Sequence, residues 1–385
     1  MIAQPSAVAG VELAPPVRVR ALSLRPGWFH LARPGVADRL VHPLLAESTT
    51  LRSAGRDLDV GFYLPVPPWE VAIHRVSSDG RTQIGLILEV AVSDYLDGRI
   101  RPHEATRGHA VESLADHLTD SGVDVAPVTL AHRADPELPV ALAELTAGPP
   151  TLTTTGDDGA EHTVWLVDAE RLEPVIERLT RRGVLYVVDG HHRCAAEAVL
   201  AGRGRGGPPG ADASDHVFAL VVGEEQLEVS SYHVLVSGVT ESPGALARSV
   251  DRALGVEATP VSASQVAHSE PGVIGMWHAG RWLRTRLTAG PGGDAARLHE
   301  QLLEPLFGIT RSGDDRRLEH LPGTDSPAEL QERCPEGTVA FVLHPPTTRS
   351  LFATADEGGS VPAKSSLFHP KVPAGLFLRR RDACR

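Results

Sequence analysis

The stretch that most restricts how this chain can fold is Leu185-Tyr186-Val187-Val188-Asp189-Gly190-His191-His192-Arg193, which runs directly into Cys194-Ala195-Ala196-Glu197-Ala198-Val199-Leu200. Its apolar, β-branched first part reads as a buried strand. The Ala-rich second part, with apolar positions at helical spacing, reads as a helix. Gly190 has to turn the chain between them. A strand-to-helix turn presents backbone N–H groups and the positive end of a helix dipole, and so favours an anion. Arg193 has the fork geometry that suits phosphate oxygens, and His191 and His192 add donors. Adjacent histidines cannot both face one way, so one meets a ligand while the other packs. Asp189 can contact a magnesium ion or orient an imidazole; its plainer role is to cap the helix. A polar surface turn is the bland alternative, but four functional side chains at one strand end are dense for a mere connection.

The surrounding pattern supplies a β–α–β order. Strands are expected at Glu70 to His74 and Ile84 to Val92 with a hairpin at Asp79-Gly80, at Ala126 to Leu130, and at His162 to Val167. A helix after Gly108 buries Val111, Leu114, Ala115 and Leu118, and another over Glu170 to Leu179 buries Leu172, Val175, Ile176 and Leu179. This order places the turn at the carboxyl edge of a sheet, where ligands of open α/β sheets gather. Beyond a Gly/Arg loop at Ala201 to Ser214, Val217 to Val222 and Leu227 to Val236 read as a hairpin pair. Gly272 to Met276 and Arg281 to Leu287 read as another. Asp294 to Leu303 is a helix stopped by Pro305, Ser326-Pro327 starts a further helix, and Gly337 to Leu343 is a strand. The expected organisation is a flexible segment 1–16, a nucleotide-binding domain 17–215 and a C-terminal α+β domain 216–385.

Composition excludes several classes. A length of 385 residues suits two or three domains. A formal net charge of -12 argues against a nucleic-acid partner, whose phosphate backbone calls for a basic face. No run reaches membrane-spanning length and no signal pattern opens the chain, so a cytoplasmic location is expected. Cys194, Cys334 and Cys384 are too scattered for a disulfide framework or a Cys-based zinc site. His103, His162, His191 and His369 match no standard metal spacing.

The Asp-Gly-His-His-Arg motif at 189–193 and its Ala-rich helix resemble the signature of the free-serine kinases of the ParB/sulfiredoxin-like superfamily. They are closer still to a bacterial family of about this chain length, catalogued only as a domain of unknown function. Similar blocks occur at Gly98-Arg99-Ile100-Arg101-Pro102-His103-Glu104-Ala105-Thr106-Arg107, at Asp158 to Trp165 and at Val361-Pro362-Ala363-Lys364-Ser365-Ser366-Leu367-Phe368-His369-Pro370-Lys371. Two departures stand out: a Pro-Pro-Tyr-Asp-Val-type stretch near the start is missing, and Ser231-Tyr232-His233-Val234 replaces an Asp-Tyr-Asn-Arg-like sequence. The resemblance implies an α+β fold with a ParB/sulfiredoxin-like mixed α/β nucleotide-binding core and an additional C-terminal α+β region. It also implies a kinase that moves a phosphoryl group from ATP or ADP, with Mg2+, to the hydroxyl of a free amino acid, L-serine foremost. Glu104 would be the general base, with Asp189 and His191 as further catalytic residues. Gly190, His191, His192 and Arg193 would hold the nucleotide, Lys364 would supply a second anion contact, and Asp189 would touch the metal. Two other readings compete with it. One is a nucleotide-sensing regulatory protein of ParB-like fold; the other is a redox protein using Cys194.

Overall fold

Near-continuous burial along Glu70–Ser78 and Arg81–Ala91, relieved only where the two strands approach their turn, builds the hairpin around which the first half of the chain is laid. Asp79 (φ 53°) and Gly80 (φ 74°) take the left-handed backbone that a two-residue turn requires. This computed structural model describes residues 21–34, 36–37, 61–156, 158–203, 215–266, 270–290, 293–310 and 315–381. The expected flexible segment 1–16 and residues 204–214 of the Gly/Arg loop lie outside these. The architecture is mixed α+β, and the chain divides into two compact units. The first comprises residues 1–101, 109–226 and 372–385; the second comprises 102–108 and 227–371.

The first unit holds a sheet with the strand order Ile100–Arg101, Leu185–Asp189, Val128–His132, His216–Gly223, Arg81–Ala91, Glu70–Ser78, Glu161–Asp168, Leu152–Thr155. Leu24–Arg25 adds to Arg81–Ala91 off this path. Among the described residues two of its pairings are parallel, Leu185–Asp189 with Ile100–Arg101 and His216–Gly223 with Val128–His132, and the others are antiparallel. The expected β–α–β order is present along the chain, but it does not form a parallel unit within the sheet. Glu161–Asp168, helix Ala169–Arg182 and Leu185–Asp189 follow one another in sequence, but four strands separate the first from the last. The expected hairpin after residue 216 is corrected. His216–Gly223 is interior to this sheet, while Tyr232–Ser237 belongs to the second unit. Both are apolar runs, and periodicity says nothing about which neighbour a buried strand takes. Val71, Ile73, Leu86, Leu130, Leu172, Leu179 and Val187 share the main core.

A smaller sheet of Tyr63–Val66, Phe29–Ala32, Phe377–Arg380 and Val123–Asp124 completes this unit. It brings Arg379, only 1% exposed, to three acids: Nε to Asp124 Oδ2 at 2.6 Å, Nη2 to Glu197 Oε1 at 3.0 Å and Nη1 to Glu89 Oε1 at 3.5 Å. Arg381 contacts Asp124 at 2.9 Å and Glu197 at 2.6 Å, and Arg25 contacts Glu89 at 2.7 Å. The three buried acids thus pair with Arg379 and Arg381 in the interior and with the partly exposed Arg25 at its edge, which is the condition under which buried charge is tolerated. Because Glu197 lies on helix His191–Arg203, the C-terminal strand anchors the helix that begins at the Gly190 turn.

The second unit is an antiparallel sheet in the order Thr259–Val261, Arg281–Arg286, Val273–His278, Thr338–Val342, Tyr232–Ser237, Leu318–Pro322. Helix Pro243–Leu254 and the segment Gly293–Phe307 cover one face through Leu246, Val250, Leu298 and Leu302. Helix Pro327–Arg333, started by a capping box of Ser326 and Glu329, covers the other with Leu330. Pro305 does not stop its helix as expected. A π-helical turn over His299–Leu303 ends just before the short helix Glu304–Phe307, so Pro305 falls in a first turn, where a missing N–H costs little. Gly308 (φ 65°) ends the run instead.

Candidate functional site

The sequence-assigned residues fall into two groups, one in each unit. In the first, strand Leu185–Asp189 ends at a bulge between Val187 and Asp189, and helix His191–Arg203 begins one residue later. Gly190 bridges them with φ 91°, and a Cβ there would stand 2.9 Å from Val128 Cγ1 and 3.0 Å from both Nε and Nη2 of Arg193. No other residue fits this turn without displacing its neighbours. Cys194 N–H donates to Gly190 O at 2.9 Å, closing the first helical turn. The N–H groups of residues 191–193 lie in that turn, beyond reach of intrahelical carbonyls. The turn's sequence expectation, a strand, a sharp bend and a helix, is what the structure has.

Arg193 is committed inward along one edge. Its Nη1 donates to Ala126 O at 2.6 Å and Pro127 O at 2.8 Å, and its Nη2 donates to Asp189 Oδ2 at 2.8 Å. The Nε/Nη2 edge lies against the α-carbon of Gly190. Arg193 and Asp189 are 28% and 25% exposed, so both can still meet a ligand at the turn. His191 is buried and His192 half-buried, the division expected of adjacent histidines. Asp189 is one carboxylate in an ion pair, and no group of three or more His, Cys, Asp or Glu suited to a metal occurs among the described residues. That fits only a magnesium ion held mainly by phosphate oxygens, with one protein carboxylate beside it. Cys194 is fully buried, and burial pushes its thiol up to about 12, which removes the nucleophilic thiolate that the redox reading requires. His162 lies in the core, where its Nδ1 meets His74 Nε2 at 3.1 Å.

The second group forms around residues 102–108. Glu104 makes a parallel bridge with Val361, flanked by Val361 N–H to His103 O at 2.8 Å and Ala105 N–H to Val361 O at 3.0 Å. His103 is buried against Phe368 and shares a 3.0 Å hydrogen bond with Ser366 Oγ. The backbone thus joins two blocks of the sequence that are far apart, the one bearing Glu104 and the one bearing Lys364. Glu104 is half-buried, and Lys364 is exposed with its ammonium 5.1 Å from the centre of the Tyr232 ring. In the divergent stretch 231–234, Ser231 Oγ donates to Leu343 O at 2.9 Å and His233 Nε2 shares a 2.8 Å hydrogen bond with Asp325 O, so both serve the sheet. Tyr232, Arg107 and His320 complete this neighbourhood, and reading the sequence did not single them out. Arg107 and Tyr232 stood inside quoted blocks, whereas His320 carried no local signal.

A surface groove of about 530 Å³ in the first unit contains none of these residues; Glu170, Glu173 and Glu177 line it, the wrong charge for phosphate. No helix among the described residues is long and apolar enough to cross a membrane.

Fold and site define an α+β protein organised on a strand–glycine–helix turn rich in phosphate-type donors. The family described as "Protein of unknown function (DUF1015)" matches residues 69–306, and the chain belongs to that family. No curated protein matches the chain. Among solved structures it is similar to SbnI with a C-terminal truncation from Staphylococcus aureus, at 14% identity and TM-score 0.43, over 75% of this chain and 85% of that one. It is also similar to a free serine kinase in complex with AMP, at 13% identity and TM-score 0.41, over 75% and 92%. A conserved hypothetical protein from Pyrococcus furiosus matches at 14% identity and TM-score 0.40, over 75% and 93%.

Proposed function

We propose that the protein is a cytoplasmic small-molecule kinase that transfers a phosphoryl group from ATP or ADP to the hydroxyl of a free amino acid, L-serine foremost, on a ParB/sulfiredoxin-like core. The observation that carries the reading is the Gly190 turn, where the Asp-Gly-His-His-Arg motif sits between a buried strand and a helix N-terminus. In this reading the first-turn N–H groups at Gly190, the half-buried His192 and the partly exposed Arg193 hold the nucleotide's phosphates, with His191 behind them. Phosphoryl transfer is mostly positioning and charge neutralisation, which such donors supply. Asp189 would be the protein contact of a Mg2+ ion carried by the nucleotide, which would supply further charge neutralisation.

Glu104 is the general base. A serine hydroxyl attacks phosphorus only as its proton finds an acceptor, and a half-buried carboxylate serves that purpose. The bond from phosphorus to the leaving nucleotide oxygen breaks, the bond to serine Oγ forms, and the hydroxyl proton passes to Glu104. His191 steadies the turn from its buried side, and Lys364 is a second anion contact.

The test is mass-spectrometric detection of O-phosphoserine from serine with ATP or ADP and magnesium. Glu104→Gln should lose turnover by 100-fold or more, on the order expected for a general base, while its nucleotide affinity stays within twofold. No phosphorylated product with any amino acid and either nucleotide sinks the kinase reading. Nucleotide binding that persists, indifferent to amino acids, would favour a nucleotide sensor instead.

A further inference from the structure

Lys364 has φ 64°, a backbone conformation that L side chains rarely adopt and that tends to mark functional positions. Its turn is held on both sides. Ser365 Oγ donates to Pro362 O at 2.6 Å, Ser366 bonds His103, and Val361 is bridged to Glu104. The ammonium is therefore set beside the segment that carries Glu104 and Arg107. Beneath it lies Tyr232, buried, whose ring meets His320 edge-on at 6.3 Å and 86°. Burial first, then the charges of Lys364 and Arg107, hold the His320 pKa down to about 4. The imidazole is thus neutral at pH 7, able to donate one hydrogen bond within the field of Lys364 and Arg107. Two cations, a neutral imidazole and a phenol meet at this turn and outweigh the single carboxylate of Glu104 on the same segment, a combination suited to a small anion with two oxygens.

We propose that Arg107, Lys364, Tyr232 and His320 form a subsite for the carboxylate of the phosphoryl acceptor, so that the acceptor class is hydroxylated carboxylic acids rather than neutral alcohols or hydroxyls within peptides. The proposal rests on the kinase reading for the word acceptor, but the binding itself needs no turnover. It gives Lys364 the acceptor's carboxylate rather than a nucleotide phosphate. It also places that carboxylate on the unit that carries Glu104, the base assigned to the same molecule's hydroxyl.

Calorimetric titration of the full-length protein with L-serine, L-threonine and D-glycerate, each against its carboxamide, tests this directly. At least one acid should bind, with its amide weaker by roughly 10- to 100-fold, the worth of one charge-assisted hydrogen bond. Arg107→Gln, at an exposed position, and Lys364→Met should weaken the acid by a similar factor, and Lys364→Arg should restore most of it. ADP affinity should be unchanged in all three variants. An NMR titration of the His320 ring adds a second readout, since a bound carboxylate should move its midpoint upward and the amide should not. No binding by any acid, equal binding of acid and amide, or loss of ADP instead of acid affinity would each overturn the proposal. Acid binding as described, with no phosphoryl transfer under any condition, would leave the subsite standing and remove the kinase reading.

Discussion

Replacing Gly190 by alanine tests the steric account of the turn, and Gly98 supplies its control. Both glycines have positive φ, 91° and 74°, but a Cβ on Gly98 meets nothing within 4 Å. Gly98→Ala should therefore cost only the backbone term, about 1–2 kcal/mol. At Gly190 the new methyl lies 2.9 Å from Val128 Cγ1 and 3.0 Å from two Arg193 nitrogens. Relief requires the guanidinium to withdraw, loosening its bonds to Ala126 O, Pro127 O and Asp189. Losing one such charged bond costs about 1.5–3 kcal/mol, so Gly190→Ala should cost ~3–5 kcal/mol in all. At about 2–4 °C per kcal/mol for a unit of this size, its melting transition should fall by roughly 6–20 °C, against roughly 2–8 °C for Gly98→Ala. Urea unfolding followed by circular dichroism gives both differences. Equal costs for the two variants, within about 0.5 kcal/mol, would refute the argument that packing against Arg193 and Val128 makes the glycine obligatory.

Arg379→Met leaves Glu89, Asp124 and Glu197 short of a cation in the interior and should destabilise by about 3–5 kcal/mol. Adding Glu197→Gln should recover part of that, and a double variant no more stable than the single one would contradict the charge-balance account. Burial first, then the neighbouring His162, hold the His74 pKa well below its usual 6.5. The unfolded chain binds that proton and the folded chain does not, so stability is full above about pH 6.5 and declines as pH falls below it. The His74 share is up to about 1.4 kcal/mol per pH unit, so His74→Leu should give a shallower stability slope between pH 6.5 and 5; an unchanged slope would exclude the mechanism. Iodoacetamide at pH 8 should leave Cys194 unmodified in the native protein and alkylate it only after denaturation, whereas Cys334, half-buried, should react first. Peptide mapping that finds native Cys194 alkylated at the rate of Cys334 would reopen the redox reading.

What the sequence by itself determined is local. The hairpin at Asp79-Gly80, the helix after Gly108, the Ser326-Pro327 helix start and the bend at Gly190 were all legible, because turn chemistry, caps and periodicity act over a few residues. The motif residues of the bend were legible for the same reason: they are neighbours in the chain. Tertiary structure alone decided what lies beyond that range. Strand His216–Gly223 left its apparent hairpin partner because an apolar strand can be buried between many neighbours equally well, and the whole sheet chooses. Arg379 found Glu197 across 182 residues, a pairing enforced by the cost of leaving either charge buried alone. The Glu104 and Lys364 segments became one neighbourhood through backbone bonds at Val361, and His320 joined it from a strand with no motif at all. Such meetings follow from which surfaces exclude water together, and no pattern confined to one stretch of chain contains that information.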